Sequence, residues 1–542
     1  MTQALAKYRG TGNFKGLLGG IALAVTVATM MPQVGQAQVT AFKQAVAETA
    51  SEHRDIAAFY RENQFSPIWT GDSDLHRARR AALISAVSTA SLYGLPSQMY
   101  DPDDLRRKLA SVRGQAALGA LEVELSRTLV LFARHMQTGI LDPRKVSSGI
   151  KRDVPLRDQI TYLQDFAAGD PDTFFRSLVP TSPEYTRLVR AKFDLERRIK
   201  HGGWGPVVPA GSLKPGASGN AVVAMRNRLI AMGYLERSST GTYDQAMEKA
   251  VRDFQMAHGL EPDGVAGAGT MRALNVTATE RLKSVLVAME RERWLNKPRG
   301  KRHVLVNIPE FTARIIDDEK VTFQTRAVVG KNVSDRATPE FSDVMEYMEI
   351  NPYWNVPRSI TTNEYLPLMR NNRNAVSHLQ VIDSRGRVVP RSAVNFAAYS
   401  GRTFPFYLRQ PPSNSNALGL VKFMFPNSNN IYLHDTPAKS LFAHEVRAYS
   451  HGCIRLAEPF EFAYALLAVQ TDDPVSFFQT RLQSGKNQRV NLEQPIQVHL
   501  IYRTAFTDAK GRVHYVADIY GRDAQVYQAL RNAGVALTSV QG

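Results

Sequence analysis

The sequence predicts a multidomain α+β protein: a helical N-terminal scaffold, a compact three-helix module, a mainly antiparallel β domain with an inserted cap, and a C-terminal hairpin. Three observations predict it. Apolar residues recur at helical spacing within 38–205, a Gly/Pro-rich stretch at 202–216 interrupts the chain, and from Val304 the apolar period falls to two.

At the N-terminus, Lys7, Arg9 and Lys15 precede an apolar run over 17–31, closed by Pro32 and by Gly35-Gln36-Ala37, with small residues at the −3 and −1 positions. That is the layout of a secretory leader, 1–37, cleaved after Ala37. The run has fifteen residues, short of the ~20 a spanning helix needs; an uncleaved inner-membrane anchor is the alternative. Either way the bulk of the chain is expected in the periplasm. Residues 38–205 read as a helical scaffold. Leu121, Leu125, Leu129, Phe132 and Met136 make one apolar face, with Gly139 as a stop and Pro143 beyond it. Nothing there gathers acid, base and nucleophile.

Past the break, 206–278 reads as a three-helix module. Val222, Met225, Leu229 and Met232 form one stripe, and Met247, Val251, Phe254 and His258 another. Gly259 ends that helix, Asp263-Gly264 turns the chain, and a short third helix starts at Thr270. A linking helix occupies 279–300. The β domain is drawn at 301–482, where Val304, Val306 and Ile308 alternate and 326–329 and 344–350 read as further strands. Inside it, about 361–418 is polar and irregular, either a cap inserted into the sheet or a structural excursion. The C-terminal segment, 483–542, carries a hairpin of 498–506 against 513–520 around Asp508-Ala509-Lys510-Gly511.

Composition narrows the function. With 542 residues, 44% hydrophobic and 22% charged, the chain can build ordinary cores without disulfides or metals. A net charge of +17 favours anionic partners. The basic residues are dispersed and no nucleic-acid-binding signature is present, which argues against nucleic acid. Anionic lipid headgroups, through a peripheral contact with the envelope, and acidic wall polymers both qualify, and charge alone does not choose between them. The single cysteine, Cys453, cannot form an intramolecular disulfide in an exported chain.

The chemistry gathers in two segments, Ile431-Tyr432-Leu433-His434-Asp435-Thr436-Pro437 and Arg447-Ala448-Tyr449-Ser450-His451-Gly452-Cys453-Ile454-Arg455-Leu456. A cysteine nucleophile reacts as thiolate, so it needs a base or a cation to lower its pKa. A histidine brought close by the fold supplies one, and its second nitrogen needs an orienting acceptor. Gly452 allows close backbone approach, so amides around Cys453 can face a developing oxyanion. Arg455 either holds a substrate carboxylate or pairs with a structural acid. Ser450 and His451 stay open between site wall and structure. His444 reads as a surface residue, and Asn351 and Trp354 as fold residues. A zinc site built from His434, Asp435, His444, His451 and Cys453 lacks the closely paired histidines such sites use.

Ser450-His451-Gly452-Cys453-Ile454-Arg455, with His434 nineteen positions before the cysteine, resembles the signature of the YkuD-type L,D-transpeptidase catalytic domain. Val306-Asn307-Ile308-Pro309, Val329-Gly330-Lys331, Thr338-Pro339 and Asn351-Pro352-Tyr353-Trp354-Asn355-Val356-Pro357 add to the match. The module resembles a three-helix peptidoglycan-binding module through Gly219-Asn220-Ala221-Val222, Gly233-Tyr234-Leu235, Phe254-Gln255, His258-Gly259-Leu260 and Asp263-Gly264. The order of the parts resembles the long, YcbB-like branch of murein L,D-transpeptidases.

The resemblance implies a cell-wall acyltransferase without cofactor or metal, acting on peptidoglycan stem peptides and glycan. His434 would take the proton of Cys453, and the backbone carbonyl of Asp435 would orient His434. Cys453 would attack the third residue of a tetrapeptide stem, releasing D-alanine and leaving a thioester. The side-chain amine of a second stem would resolve it as a 3→3 cross-link. Amides near Gly452 and Cys453 would hold the oxyanion, with His451, Ser450 and Arg455 in support. Carbapenems would acylate the same sulfur. Water as acceptor would make the enzyme an L,D-carboxypeptidase or endopeptidase, and a lipoprotein amine would make it a protein anchor. A wall-binding protein whose site is not assembled is the non-enzymatic alternative.

Overall fold

The computed structural model describes residues 40–537 apart from 210 and 334; the leader expected at 1–37 lies outside the described residues. The scaffold is helical as expected. Its central helix, Gln115–Thr138, buries Leu121, Leu125, Leu129, Phe132 and Met136, and Gly139 at φ +86° ends it. Polar side chains cap the helix starts: Ser73, Asp101, Asp170 and Ser182 each accept a first-turn amide. The buried Glu122 on the central helix is fully engaged. It accepts from the amides of Ile68, Trp69 and Thr70 and from the Tyr60 hydroxyl, which is what a buried carboxylate requires.

The module has three helices, Asn220–Ala231, Gln245–Ala257 and Ala268–Leu274, the third starting two residues before Thr270. Val222, Met225, Leu229, Met247, Val251 and Phe254 form its core, while Met232 is only partly buried. His258 is the C-cap of the second helix, its Nδ1 against the Phe254 carbonyl at 2.7 Å, and Gly259 turns away at φ +66°.

The linking helix, Ala278–Trp294, is buried from Val285 onward, including Glu290-Arg291-Glu292-Arg293. Each of these charges finds partners on a different part of the molecule. Glu290 accepts from the amides of Ile140 and Leu141 at 2.7 and 2.9 Å. Arg291 reaches Asp523 at 3.0 Å and Glu340 at 2.5 Å. Glu292 pairs with Arg299 at 2.7 Å and with Arg503. Arg293 holds Glu290 and the Tyr185 hydroxyl. The helix ties scaffold, β domain and C-terminal segment together.

The β domain is a single nine-stranded sheet in the order Ala448–Ser450, Lys320–Gly330, Ile454–Leu456, Leu433–His434, Val421–Met424, Phe341–Ile350, Gln488–Ile501, Arg302–Asn307, Thr312–Asp317. The last strand also pairs with Lys320–Gly330, so eight of the nine close into a ring and leave few free edges. Its interior is the apolar core containing Val304, Val306, Ile315, Val329, Met348, Phe423, Leu433 and Ile454. The sheet is mixed, since Arg302–Asn307, Leu433–His434 and Ala448–Ser450 each have a parallel neighbour.

Two expectations need correction. The boundary at 482 falls one strand short, because Gln488–Ile501 lies inside the sheet between Phe341–Ile350 and Arg302–Asn307. Its alternation is masked by Asn491-Leu492-Glu493-Gln494-Pro495, where the pairing register shifts; a bulge tolerates a proline that a regular ladder would not. The hairpin is consequently shorter than drawn, Ala505–Thr507 against Val513–Tyr515. The insertion is a subdomain, and it starts earlier than 361. The chain leaves after Phe341–Ile350 and returns at Val421–Met424, which are neighbours in the sheet. Between them it builds a four-stranded sheet from Trp354–Asn355, Tyr407–Gln410, Gln380–Ile382 and Val388–Val389, with its own core of Trp354, Val356, Leu366, Leu379, Phe396 and Phe404.

Candidate active site

Strand periodicity assembles the site. Leu433 and Ile454 pair across parallel strands and both enter the ring's core. The next pair, His434 and Arg455, therefore turns to the opposite face. Lys422 pairs with His434 from the other side, so three basic side chains stand abreast. Cys453 sits two residues before Arg455, and its sulfur feels the charges of both Lys422 and Arg455.

His434 is 4% exposed. Its Nδ1 meets the Asp435 carbonyl; a carbonyl can only accept, so Nδ1 carries the proton and Nε2 is the basic nitrogen. The Asp435 carboxylate is occupied elsewhere, by the Leu420 amide at 2.9 Å and the Lys439 ammonium at 2.7 Å. Burial, reinforced by the Arg455 charge, drives the imidazole pKa down to about 3. The thiol moves the other way. Burial pushes the Cys453 pKa up, against the pull of the Tyr432 amide and hydroxyl, Lys422 and Arg455. Cations do flank the sulfur, as the sequence reading required, but desolvation outweighs them. Both shifts favour the uncharged forms, a thiol and a neutral imidazole, over a preformed thiolate–imidazolium pair. Among the described residues no hydrogen bond joins the two, and the thiol donates to the Asn430 carbonyl at 3.6 Å.

The nucleophile loop is sewn from within. Gly452 adopts φ +114°, a region that favours glycine, and a Cβ there would stand 3.1 Å from Ile431. Its amide donates to Ser450 Oγ at 3.1 Å and its carbonyl accepts from Thr338 Oγ1 at 2.7 Å. Ser450 Oγ in turn donates to the Cys453 carbonyl at 2.5 Å. Ser450 thus shapes the loop, and the Gly452 amide is already engaged. The Cys453 amide, by contrast, donates to no group among the described residues. Gly330, one of the matched positions, has no room for a side chain: a Cβ would lie 1.9 Å from the Arg336 carbonyl.

His451 faces the inserted subdomain. Its Nε2 lies 2.9 Å from Glu364 Oε1, and Arg336 holds the same oxygen at 2.9 Å. Glu364 belongs to a widened helical turn, Thr361–Tyr365, so this contact latches the subdomain to the loop beside Cys453. Arg455 meets no acid among the described residues, and its Nε is sealed from solvent without a partner, which leaves the structural-acid alternative without an acid. His444 is exposed. Asn351 holds the carbonyls of Leu482 and Lys486 at 2.9 and 3.3 Å, and Trp354 belongs to the subdomain core. Among the described residues no three of His, Cys, Asp or Glu are grouped to hold a metal ion.

Three residues had no role in the sequence analysis: Tyr432 and Lys422 near the sulfur, and Glu364 against His451. Tyr432 is two residues before His434 on one strand segment, and period two alone would have put it on the same face. Lys422 comes from the strand opposite and is visible only in the register. Glu364 sits in the irregular insertion, where no local pattern marks it.

Residues 301–476 match the model of the L,D-transpeptidase catalytic domain, 218–274 that of a peptidoglycan binding domain, and 54–191 that of a scaffold domain. A Haemophilus influenzae protein bearing the name L,D-transpeptidase is 31% identical over 246 residues, which cover 44% of this chain and 48% of that one; the chain spans about half the length of this relative. Among solved structures, an L,D-transpeptidase fragment from Xylanimonas cellulosilytica (16% identity, covering 55% of this chain and 98% of that one, TM-score 0.17) and an L,D-transpeptidase from Stackebrandtia nassauensis (15%, 55% and 97%, TM-score 0.20) align with it.

Proposed function

Starting from an L,D-transpeptidase catalytic domain joined to a peptidoglycan-binding domain, we propose that this protein forms 3→3 cross-links between peptidoglycan stems through an acyl-enzyme on Cys453. The observation that carries the reading is the single face shared by His434, Arg455 and Lys422, with Cys453 beside it and no acid on Arg455.

Because both groups favour their uncharged forms, proton transfer accompanies attack. Sγ bonds to the carbonyl carbon of the third stem residue as its proton passes to His434 Nε2. The oxyanion meets the Cys453 amide rather than that of Gly452. Collapse expels the terminal D-alanine, whose amine takes the proton from His434. A thioester remains. The side-chain amine of a second stem attacks it, His434 accepts the amine's proton, and the thiolate leaves and is reprotonated. Arg455 is the group to hold a stem carboxylate, a charge-assisted contact that its half-buried position strengthens. The thioester stores the acyl group, so no cofactor is required. The same reading places the chain in the periplasm, with the leader at 1–37 removed; N-terminal sequencing of protein from the envelope tests this, and an intact Met1 would mean an anchor.

The deciding experiment incubates the purified protein with disaccharide-tetrapeptide and analyses the products by mass spectrometry, beside Cys453→Ala. A 3→3 dimer with released D-alanine, absent in the variant, is the expected result. Tripeptide alone would make water the acceptor and the enzyme an L,D-carboxypeptidase. No product from either protein would overturn the enzymatic reading.

A further inference from the structure

Away from Cys453, a cleft of about 820 Å³ runs between the scaffold's last helix, Pro183–Lys200, the three-helix module and the turn of the C-terminal hairpin. It shares no lining residue with the site just described. Seven cations line it; Arg187 is paired with Glu184 and Arg197 with Asp194, which leaves five: Arg190 and Arg198 from the helix, Arg281 from the linking helix, and Lys510 and Arg512 from the hairpin turn. Among the described residues none of the five has an ion pair. The one acid in the lining, Asp194, is already held by Arg197 at 2.6 Å.

The cleft also has an aromatic wall. Arg281 lies over the Tyr515 ring at 4.4 Å and Arg512 over Tyr234 at 5.1 Å. Tyr515 is only 8% exposed, yet its hydroxyl has no hydrogen-bond partner among the described residues. That hydroxyl is not sealed from solvent and is free to bond a ligand in the cleft it lines, and five unpaired like charges around one cleft repel one another. Both features call for an anionic ligand with hydrogen-bonding groups. Guanidinium forks suit carboxylates, and ring faces suit sugars or flat peptide groups. The module that supplies one wall through Met232, Tyr234 and His258 is the part matched by the peptidoglycan binding domain.

We propose that this cleft binds peptidoglycan through the free carboxylates of its stem peptides, and that the site is composite, needing the scaffold helix and the hairpin as well as the module. The choice of ligand rests on the wall-polymer reading above, but the binding does not depend on the thiol chemistry.

The test uses the full chain carrying Cys453→Ala, so that binding is read without turnover, and a fluorescent disaccharide-tetrapeptide followed by anisotropy. Arg190→Glu combined with Arg512→Glu, both exposed side chains, should weaken binding about tenfold or more with an unchanged melting profile. Amidating the carboxylates of the probe should produce a similar loss and make it indifferent to the two substitutions. Tyr515→Phe, which keeps the ring, should weaken binding less. Equal affinity of parent and double variant for the muropeptide, or none in either, would overturn the proposal. So would cleft-dependent binding of phosphatidylglycerol vesicles without muropeptide binding, which would make the ligand a lipid phosphate. No cleft-dependent binding, with D-alanine release by the unsubstituted protein intact, would condemn the cleft alone, and cleft-dependent binding without D-alanine release the thiol reading alone.

Discussion

Arg291 is buried and Arg455 half-buried with its Nε sealed from solvent, and the chain treats them differently. Arg291, 4% exposed, is met by Glu340 and Asp523, and its neighbours Glu290, Glu292 and Arg293 are met likewise. Arg455 stands beside a thiol, a neutral imidazole and Lys422, with no acid in reach. The first region shows buried charge used to dock domains: its partners come from distant parts of the same chain, and the geometry is complete as it stands. The second shows half-buried charge left unpaired, in a setting drier than bulk water that favours whatever anion arrives. The supply of the partner, rather than burial itself, separates a joint from a site.

Five experiments test that contrast, in order of decreasing magnitude. His434→Gln removes the proton acceptor and should lower kcat by about 10²–10⁴, read by D-alanine release, while the urea midpoint at pH 7 stays close to that of the parent. Should kcat survive, His434 is a core histidine and the site half of the comparison fails. Glu340→Gln leaves Arg291 and Arg522 short of a charge and should cost about 3–5 kcal/mol of stability by urea denaturation. Unchanged stability there would mean that the joint is held by packing alone.

Arg455→Met should do the reverse of Glu340→Gln. Stability should stay within about 0.5 kcal/mol, and kcat/KM should fall roughly 10–100-fold, as for one lost charge-assisted contact. A large stability loss would place Arg455 with Arg291 as a structural group. His434 also leaves a mark on acid sensitivity. Its folded pKa of about 3 lies below the unfolded value near 6.5, so the unfolded chain binds the extra proton in this window, and its contribution to stability is full above pH 6.5 and lost as pH falls toward 3. His434→Gln should flatten the acid limb by about 1.4 kcal/mol per pH unit; an unaltered slope would mean that the imidazole titrates normally. Smallest is Glu364→Gln. The latch to His451 and Arg336 is one-third exposed, so less than about 1 kcal/mol should be lost. Amide exchange should rise in 358–371 and not in the ring; no local rise would mean that the subdomain is held by its other contacts.

The sequence made the helical scaffold and the module legible because each helix carries its own apolar stripe and punctuation, as at Leu121 to Met136 with Gly139. It also marked Cys453 and His434, since both sit in short contiguous motifs. What it hid was non-local. The strand from Gln488 to Ile501 is broken by Pro495 at a register shift, so alternation could not reveal a central strand. The downward shift of His434 and the upward shift of Cys453 follow from desolvation, which depends on what packs above the sheet. Glu290 to Arg293 read as an ordinary charged helix turn, because their partners lie as far away as Ile140 and Asp523. Glu364 carried no signal, lying in an insertion whose order comes from its own small core.

The central position of the strand Gln488–Ile501 has a consequence for timing. Its two neighbours, Arg302–Asn307 and Phe341–Ile350, are synthesised long before it and must wait unpaired along those edges until residue 501 has emerged. Contacts that close such long loops are made late and slowly. Cys453 is thus synthesised well before the sheet around it can close. A chain cut before Gln488 would carry Cys453 without a central strand of the ring that positions it, so closure of the ring waits on a segment synthesised after the cysteine.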